Sequence, residues 1–442
     1  MGTGTTYIIG NFKTGGLIGE LKHSIFEADN KINISKNKPV IPKNSEFHPN
    51  FNGNVKPYDS NNPCKYIAGG IGSVIESSIS NIHIKGTINP EINESDYYTG
   101  GVFGYVDFGT TDNDYYIRGC SFNGIVYGGN YTGGIIGEVC AKGKVYECIN
   151  YGEIHGIEQT GGVIGKVNYN DDEPYTNYCV NLGAIKGTNN VGGVIGYLSG
   201  KNNDDSWCHI HNCANYGNVS ADANTSGAGV GGILGKGASF LCNIQYCVNF
   251  GQISGNGSDI RVGGISGVVG DGSPGYTLNV SLRECCNYGT VSSNSGGAHL
   301  GGITGMLEDG QLLHPDNSIV ENCYNCGEIP SETSNEPGGI VGLSRDHSLI
   351  RNCINVGKII YGNGIMGTDT GNGEYENCYT LEEMDKGGDV WPAHVTRVNA
   401  TDMASSTYWN DKGFDFDNIW KMGSSHPELR NCPFQYTKAP TE

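Results

Sequence analysis

The chain has 442 residues, 71 of them Gly, and only 17% are charged; Gly normally makes up about 7% of a protein. A helical bundle is excluded, because each Gly inside a helix costs about 1 kcal/mol, and collagen is excluded by the lack of a three-residue Gly period and by only 15 Pro. A formal charge of -19 repels phosphate backbones and anionic lipid, so neither nucleic acid nor membrane insertion is expected.

No apolar run is long enough to span a bilayer. Met1–Gly10 lacks the basic-then-apolar pattern of a secretory signal. Repeat sequence begins almost at once, at Gly15, so the chain reads as a mature segment of a longer protein. With 26 Tyr, 12 Phe and many Val and Ile, it is not compositionally disordered.

The first repeated string is Gly-Gly-aliphatic-X-Gly. It opens at Gly15, Gly100, Gly133, Gly161, Gly192, Gly231, Gly263, Gly301 and Gly338, with a shortened copy at Gly69 and a degenerate one at Asn363-Gly364-Ile365-Met366-Gly367. From Gly69 to Gly338 the mean interval is about 34 residues, a period typical of stacked supersecondary units. Its first variable slot is aliphatic (Val102, Ile135, Val163, Val194, Ile233, Ile265, Ile303, Ile340). Four places on the slot is mostly apolar (Val106, Val139, Val167, Leu198, Val269, Leu307). The slot just before that one is mixed (Tyr105, Glu138, Lys166, Tyr197, Lys236, then Val268, Met306, Leu343). This alternation predicts a strand with one buried face.

A looser strand is predicted next, as in Lys144-Val145-Tyr146 and Ser318-Ile319-Val320. It leads into the second repeated string, Cys-X-Asn-X-Gly-X-Ile/Val, with Cys at 148, 179, 213, 247, 285, 323 and 353. Cys120 opens a variant whose Asn stands one place later, at Asn123. The string ends in a third strand carrying Ile154, Ile185, Val219, Ile253, Val291, Ile329 and Ile359.

None of these short strands can bury its apolar face alone. Stacking repeat on repeat in parallel register buries all of them, with equivalent residues about 4.8 Å apart. The fold class is therefore all-β: a parallel β-helix solenoid of about eleven coils over residues 1–380, right-handed by the general preference of parallel crossovers. Residues 381–442 lack the repeat, carry Trp391, Trp409 and Trp420, and read as a cap over the last coil.

Stacking assigns most of the patterned residues to structure. Cys120, Cys148, Cys179, Cys213, Cys247, Cys285, Cys323 and Cys353 would form one buried column of reduced thiols, where Cys behaves as a small hydrophobe; Cys208 and Cys242 would stack on each other. Disulfides within the column are the competing reading. Asn150, Asn181, Asn215, Asn249, Asn287, Asn325 and Asn355 would form an amide ladder at a turn. Cys323-X-X-Cys326 has redox or zinc half-site spacing, but Cys326 simply fills the slot of Tyr151 and Tyr216.

His209-Ile210-His211 puts two imidazoles on one strand face, which permits a transition-metal site; solvated His is the plainer reading. Asp171-Asp172-Glu173, Asp204-Asp205, Asp271-Gly272 and Asp369 through Glu374 are oxygen-rich loops where calcium would sit, without EF-hand spacing. No catalytic residue, cofactor or metal ligand is assigned. Adjacent Asp residues face opposite ways on a strand, so they do not make a hydrolase pair. Exposed Tyr near the turns would suit sugar stacking or plain strand packing.

The Gly-Gly-aliphatic-X-Gly and Cys-X-Asn-X-Gly-X-Ile/Val strings resemble the GLUG repeats of bacterial surface proteins, a group that includes large adhesins and IgA-specific metallopeptidases. Gly413-Phe414-Asp415-Phe416-Asp417-Asn418-Ile419-Trp420 and Pro427-Glu428-Leu429-Arg430 resemble the segment that closes such arrays. The resemblance runs over roughly residues 10–435 and departs at Lys22–Asn62. It implies a surface-exposed scaffold and carries over no enzyme, since the zinc motif of those peptidases is absent.

The expected function is a non-catalytic extracellular or cell-surface adhesin module, part of a larger protein, that binds a host protein or glycan. Two alternatives stay open: a polysaccharide-active β-helix enzyme or carbohydrate-binding module, and a phage or virus fibre segment.

Overall fold

The computed structural model describes residues 65–432, apart from 90–96, 110–113, 170–172, 201–206, 239–240, 271–278, 309–317, 331–334, 336, 346–347, 371–372 and 385–394, together with strand segments 7–10, 13–15, 17–22, 24–27, 51–52 and 54–57. Among these residues each coil runs through short strands joined by tight turns. One coil reads Tyr131–Gly133, Ile136–Cys140, Lys144–Tyr146, Ile149–Asn150 and Glu153–His155.

Each strand pairs in parallel with its equivalent in the next coil, for example Ile136↔Ile164, Val145↔Thr176 and Ile154↔Ile185. The result is a parallel β-helix whose longitudinal sheets contain 9, 11 and 11 strands, plus a fourth face built by the Cys-X-Asn string. One strand per coil is absent from the sequence reading: the short run that ends in the first Gly of the pair, as in Tyr131–Gly133. It is only two or three residues long, too short to show alternation.

The core is a set of continuous files. Ile67, Val191, Val230, Val262 and Leu300 line one sheet, and Ile79, Ile117, Ile210, Ile244, Leu282 and Val320 line another, all fully buried. The glycines set how closely these sheets approach. A Cβ on Gly165 would stand 2.5 Å from the backbone nitrogen of Thr132 and 2.6 Å from the carbonyl oxygen of Gly137. A Cβ on Gly162 would stand 2.1 Å from the Gly193 carbonyl oxygen and 2.5 Å from Asn181 Cγ. Neither position has room for a side chain, which is why the Gly-Gly-aliphatic-X-Gly string returns coil after coil.

The Cys-X-Asn string alternates in, out, in. Cys148, Cys179, Cys213, Cys247, Cys285, Cys323, Cys353 and Cys378 stand in one buried file, and all are free thiols. Cys208 pairs in register with Cys242. The Asn residues face the same interior. Asn150 Nδ2 donates to Asn181 Oδ1 at 2.8 Å, and the same bond joins Asn181 to Asn215, Asn215 to Asn249, Asn249 to Asn287, Asn287 to Asn325 and Asn325 to Asn355 at 2.7–2.9 Å. Each amide also donates to the carbonyl two residues on, as Asn150 does to Gly152 at 2.8 Å. In the coil before Asn150 the register places Phe122 in this slot, not Asn123.

The middle residue of the string faces out. Ile149, Val180, Ala214, Val248, Cys286, Tyr324, Ile354 and Tyr379 form an outward apolar file, and the C-terminal segment covers much of it. Val395–Val398 adds in parallel to Cys378–Leu381 of the last coil. Beyond it, Met403, Trp409, Trp420 and Leu429 pack into the outward cluster. Trp420 Nε1 donates to Asn322 Oδ1 at 3.3 Å. The residues read as a cap thus extend the last coil and also run along the flank, where an apolar file needs cover.

Candidate functional site

The Cys and Asn files are occupied with holding coils together. Burial pushes the thiols of Cys148, Cys213, Cys247, Cys285 and Cys353 up, and among the described residues no cation is set against them to stabilise a thiolate. Cys323 is buried whereas Cys326 is exposed, so this C-X-X-C pair straddles the wall and its thiols do not converge. Asp171, Asp172, Asp204, Asp205, Asp271 and Gly272 lie outside the described residues. Of the last acidic loop, Asp369 accepts a hydrogen bond from the Tyr375 hydroxyl at 2.7 Å.

Chemistry not used for stacking gathers at the corner between two sheets of the early coils. Tyr66 and Tyr98 are register partners on one sheet, and Tyr131 opens its next strand. On the adjoining sheet the outward column runs Ser73, Tyr105, Glu138, Lys166 and Tyr197. The glycines that bring the sheets together make these two columns meet. The ring centroids of Tyr66 and Tyr98 are 5.1 Å apart and stacked; Tyr105 lies 5.2 Å from each; Tyr131 lies 5.4 Å from Tyr98. Tyr97 stands at the rim, 44% exposed, with its ring 6.2 Å from Tyr131.

An ion pair underlies the aromatic cluster. Lys166 Nζ is 3.3 Å from Glu138 Oε1, with side-chain exposures of 15% and 4%. Lys166 also sits 4.5 Å from the Tyr131 ring centroid, a cation–π contact. Burial raises the Glu138 carboxyl, against the pull of Lys166 and a hydrogen bond from Tyr98. Burial works against the charge of Lys166, but Glu138 and Tyr131 outweigh it and hold its pKa up. The pair packs beneath the aromatic rings, tied to Tyr131 through the lysine. Lys65 supplies a second cation, 5.2 Å from the Tyr66 ring.

This corner offers flat apolar ring faces, phenolic donors and fixed charges over about three coils. Its sequence signal was a Tyr two places before the repeated Gly in successive coils: Tyr98-Thr-Gly and Tyr131-Thr-Gly, with Tyr66-Ile-Ala as the earlier form. The mixed column Tyr105, Glu138, Lys166 was visible, but nothing in it said that it faced the Tyr column.

His209 and His211 do lie on one outward face, flanking buried Ile210. Their ring centroids are 5.2 Å apart, and the Tyr175 hydroxyl is 3.0 Å from His211 Nδ1. Burial lowers both imidazoles, Glu173 partly restoring His209, and burial with neighbouring His209 brings His211 down to about 4. Both are neutral at pH 7.

No family model matches the chain, and no curated protein matches it. A solved structure from Bacteroides ovatus, described provisionally as an immunoglobulin A1 protease, is similar at 18% identity and a TM-score of 0.34. The match covers 79% of this chain and 86% of that one. A likeness at this level bears on neither activity nor ligand.

Proposed function

We propose that the chain is a non-catalytic binding module of a bacterial surface or extracellular protein, and that the tyrosine corner is where it contacts a carbohydrate. The observation that carries this reading is the cluster of Tyr66, Tyr97, Tyr98, Tyr105 and Tyr131 over the Glu138–Lys166 pair. Aromatic faces stack on the apolar faces of sugars, while phenols and charges bond hydroxyls. Stacking of coils does not require Tyr in these columns: the slot of Tyr66, Tyr98 and Tyr131 carries Gln159, Gly229, Arg261 and His299 in later coils, and that of Tyr105 carries Glu138 and Lys166.

A glycoside hydrolase would need a second carboxylate about 5–10 Å from the first. The direct register partners of Glu138 are Tyr105 and Lys166, and Asp107 stands diagonally across on the neighbouring strand, so a cleavage assay accompanies the binding test.

The test is a glycan and host-protein array probed with the full chain, followed by titration of the best ligand. Binding that falls at least tenfold in Tyr97→Ala and Tyr131→Ala, with an unchanged melting curve, supports the reading. Polysaccharide cleavage, or binding indifferent to these substitutions, overturns it.

A further inference from the structure

Outside the tyrosine corner, the outward face of another sheet carries an unsatisfied polar group on each of several neighbouring side chains. Tyr175, His209, Asn243 and Ser281 follow one another in register over consecutive coils, and Asn177, His211 and Gln245 form the adjacent column. His209 Nδ1, His211 Nε2 and Asn243 Oδ1 are all shielded from solvent and have no hydrogen-bond partner. Leaving such an atom unsatisfied is unfavourable, because its desolvation is not repaid by a bond. Three on one strand pair stand out against the Asn file, where each amide in turn is bonded.

We propose that His209 and His211, completed by the Asn243 amide oxygen and water, form a binding site for a divalent transition-metal cation of the zinc class. Each of the three atoms can present a lone pair to a cation. Imidazole suits zinc, nickel and copper better than calcium or magnesium. Two imidazoles that share a tetrahedral ion at a metal–nitrogen distance of about 2.1 Å have centroids roughly 5 Å apart; those of His209 and His211 are 5.2 Å apart with planes at 69°.

The Tyr175 hydroxyl supplies the outer partner that a ligating His needs. With His211 Nδ1–H donating to the phenolic oxygen, the lone pair is fixed on Nε2. Among the described residues no three His, Cys, Asp or Glu side chains gather. The site therefore has two protein nitrogens and one amide oxygen, and a strong chelator strips it.

Cobalt(II) tests this on the full chain after dialysis against chelator, because its spectrum reports the ligand type. The expected result is one equivalent bound, with weak visible bands of nitrogen and oxygen ligation and no thiolate charge-transfer band. His209→Gln and His211→Gln each weaken binding at least tenfold, and Tyr175→Phe, a positioning change, weakens it less. Should the Gln variants fail to fold, zinc added to the parent chain must shift only two of its 11 imidazoles in histidine-selective NMR. Unchanged cobalt binding in the folded double variant, a thiolate band, or shifts spread over other imidazoles overturns the proposal.

Discussion

At the residue scale, the amides of the Asn file each do several jobs in a dry interior. Asn249 donates to Gly251 at 2.9 Å and to Asn287 at 2.8 Å, and accepts from Asn215 at 2.8 Å. Asn249→Ala removes these bonds and strands the Asn215 donor, so a loss of about 2–4 kcal/mol is expected in urea unfolding. Asn249→Asp keeps the shape but adds a charge without a counter-ion and should cost more.

The Glu138–Lys166 pair follows the same logic. Lys166→Met alone leaves a buried carboxylate and should cost about 3–5 kcal/mol, whereas Glu138→Leu with Lys166→Met should be near neutral. A double-mutant cycle by denaturant unfolding measures both.

His211 and His299 are each held down to about 4, His211 by burial and by His209, His299 by burial and by the charges of Arg261 and Arg345, opposed by Asp259. An unfolded His titrates near 6.5. Their contribution is full above about pH 6.5 and is lost as the pH falls towards 4, because the unfolded chain then binds the protons. The urea midpoint should therefore drop between pH 7 and pH 4.5, and it should drop less in a His211→Gln, His299→Gln variant.

At the scale of the element, two glycines make opposite predictions. Gly165→Ala forces a Cβ against the Thr132 backbone at 2.5 Å, and no flexible atom can yield; the coil should be disrupted and the protein recovered mainly as aggregate. Gly237 occupies the slot filled by Val139, Val167 and Leu198 in other coils, and its nearest neighbour is the movable Leu234 Cδ2 at 3.2 Å. Gly237→Ala should stabilise by about 1 kcal/mol, through a buried methyl and a stiffer unfolded chain. Thermal unfolding of the two variants separates these outcomes.

The same elements explain what the sequence could reveal. Cys, Asn and Gly recur at fixed offsets because each meets its own copy in the next coil, so stacking order and parallel register are readable from repetition. Ile149 and its equivalents lay between two conspicuous slots and vary from Ala to Tyr, so their outward file was not visible. The tyrosine corner was harder still. Tyr98 and Tyr105 belong to different sheets, and only the glycine-set turn between them brings the rings to 5.2 Å.

At the scale of the whole molecule, the C-terminal segment decides whether the array is watertight on its flank. Trp409 and Trp420 are fully buried against the outward file, in a ring chain running Tyr379, Trp409, Phe414, Trp420 with centroids 5.0–5.3 Å apart. Trp420→Ala should cost about 3–5 kcal/mol and expose the file to a hydrophobic dye while the interior coils keep their far-ultraviolet signature, because each coil leans chiefly on its neighbours.

Every Asn amide donates in the same direction, from Asn150 to Asn355, and the last donates to the Thr380 hydroxyl at 3.3 Å. The amide-to-amide bond recurs at each junction, so within this file a coil added or removed between two Asn rungs again sets a donor against an acceptor. Length is thus an adjustable quantity in this molecule, and the distance between its tyrosine corner and its far terminus can be retuned in steps of one coil.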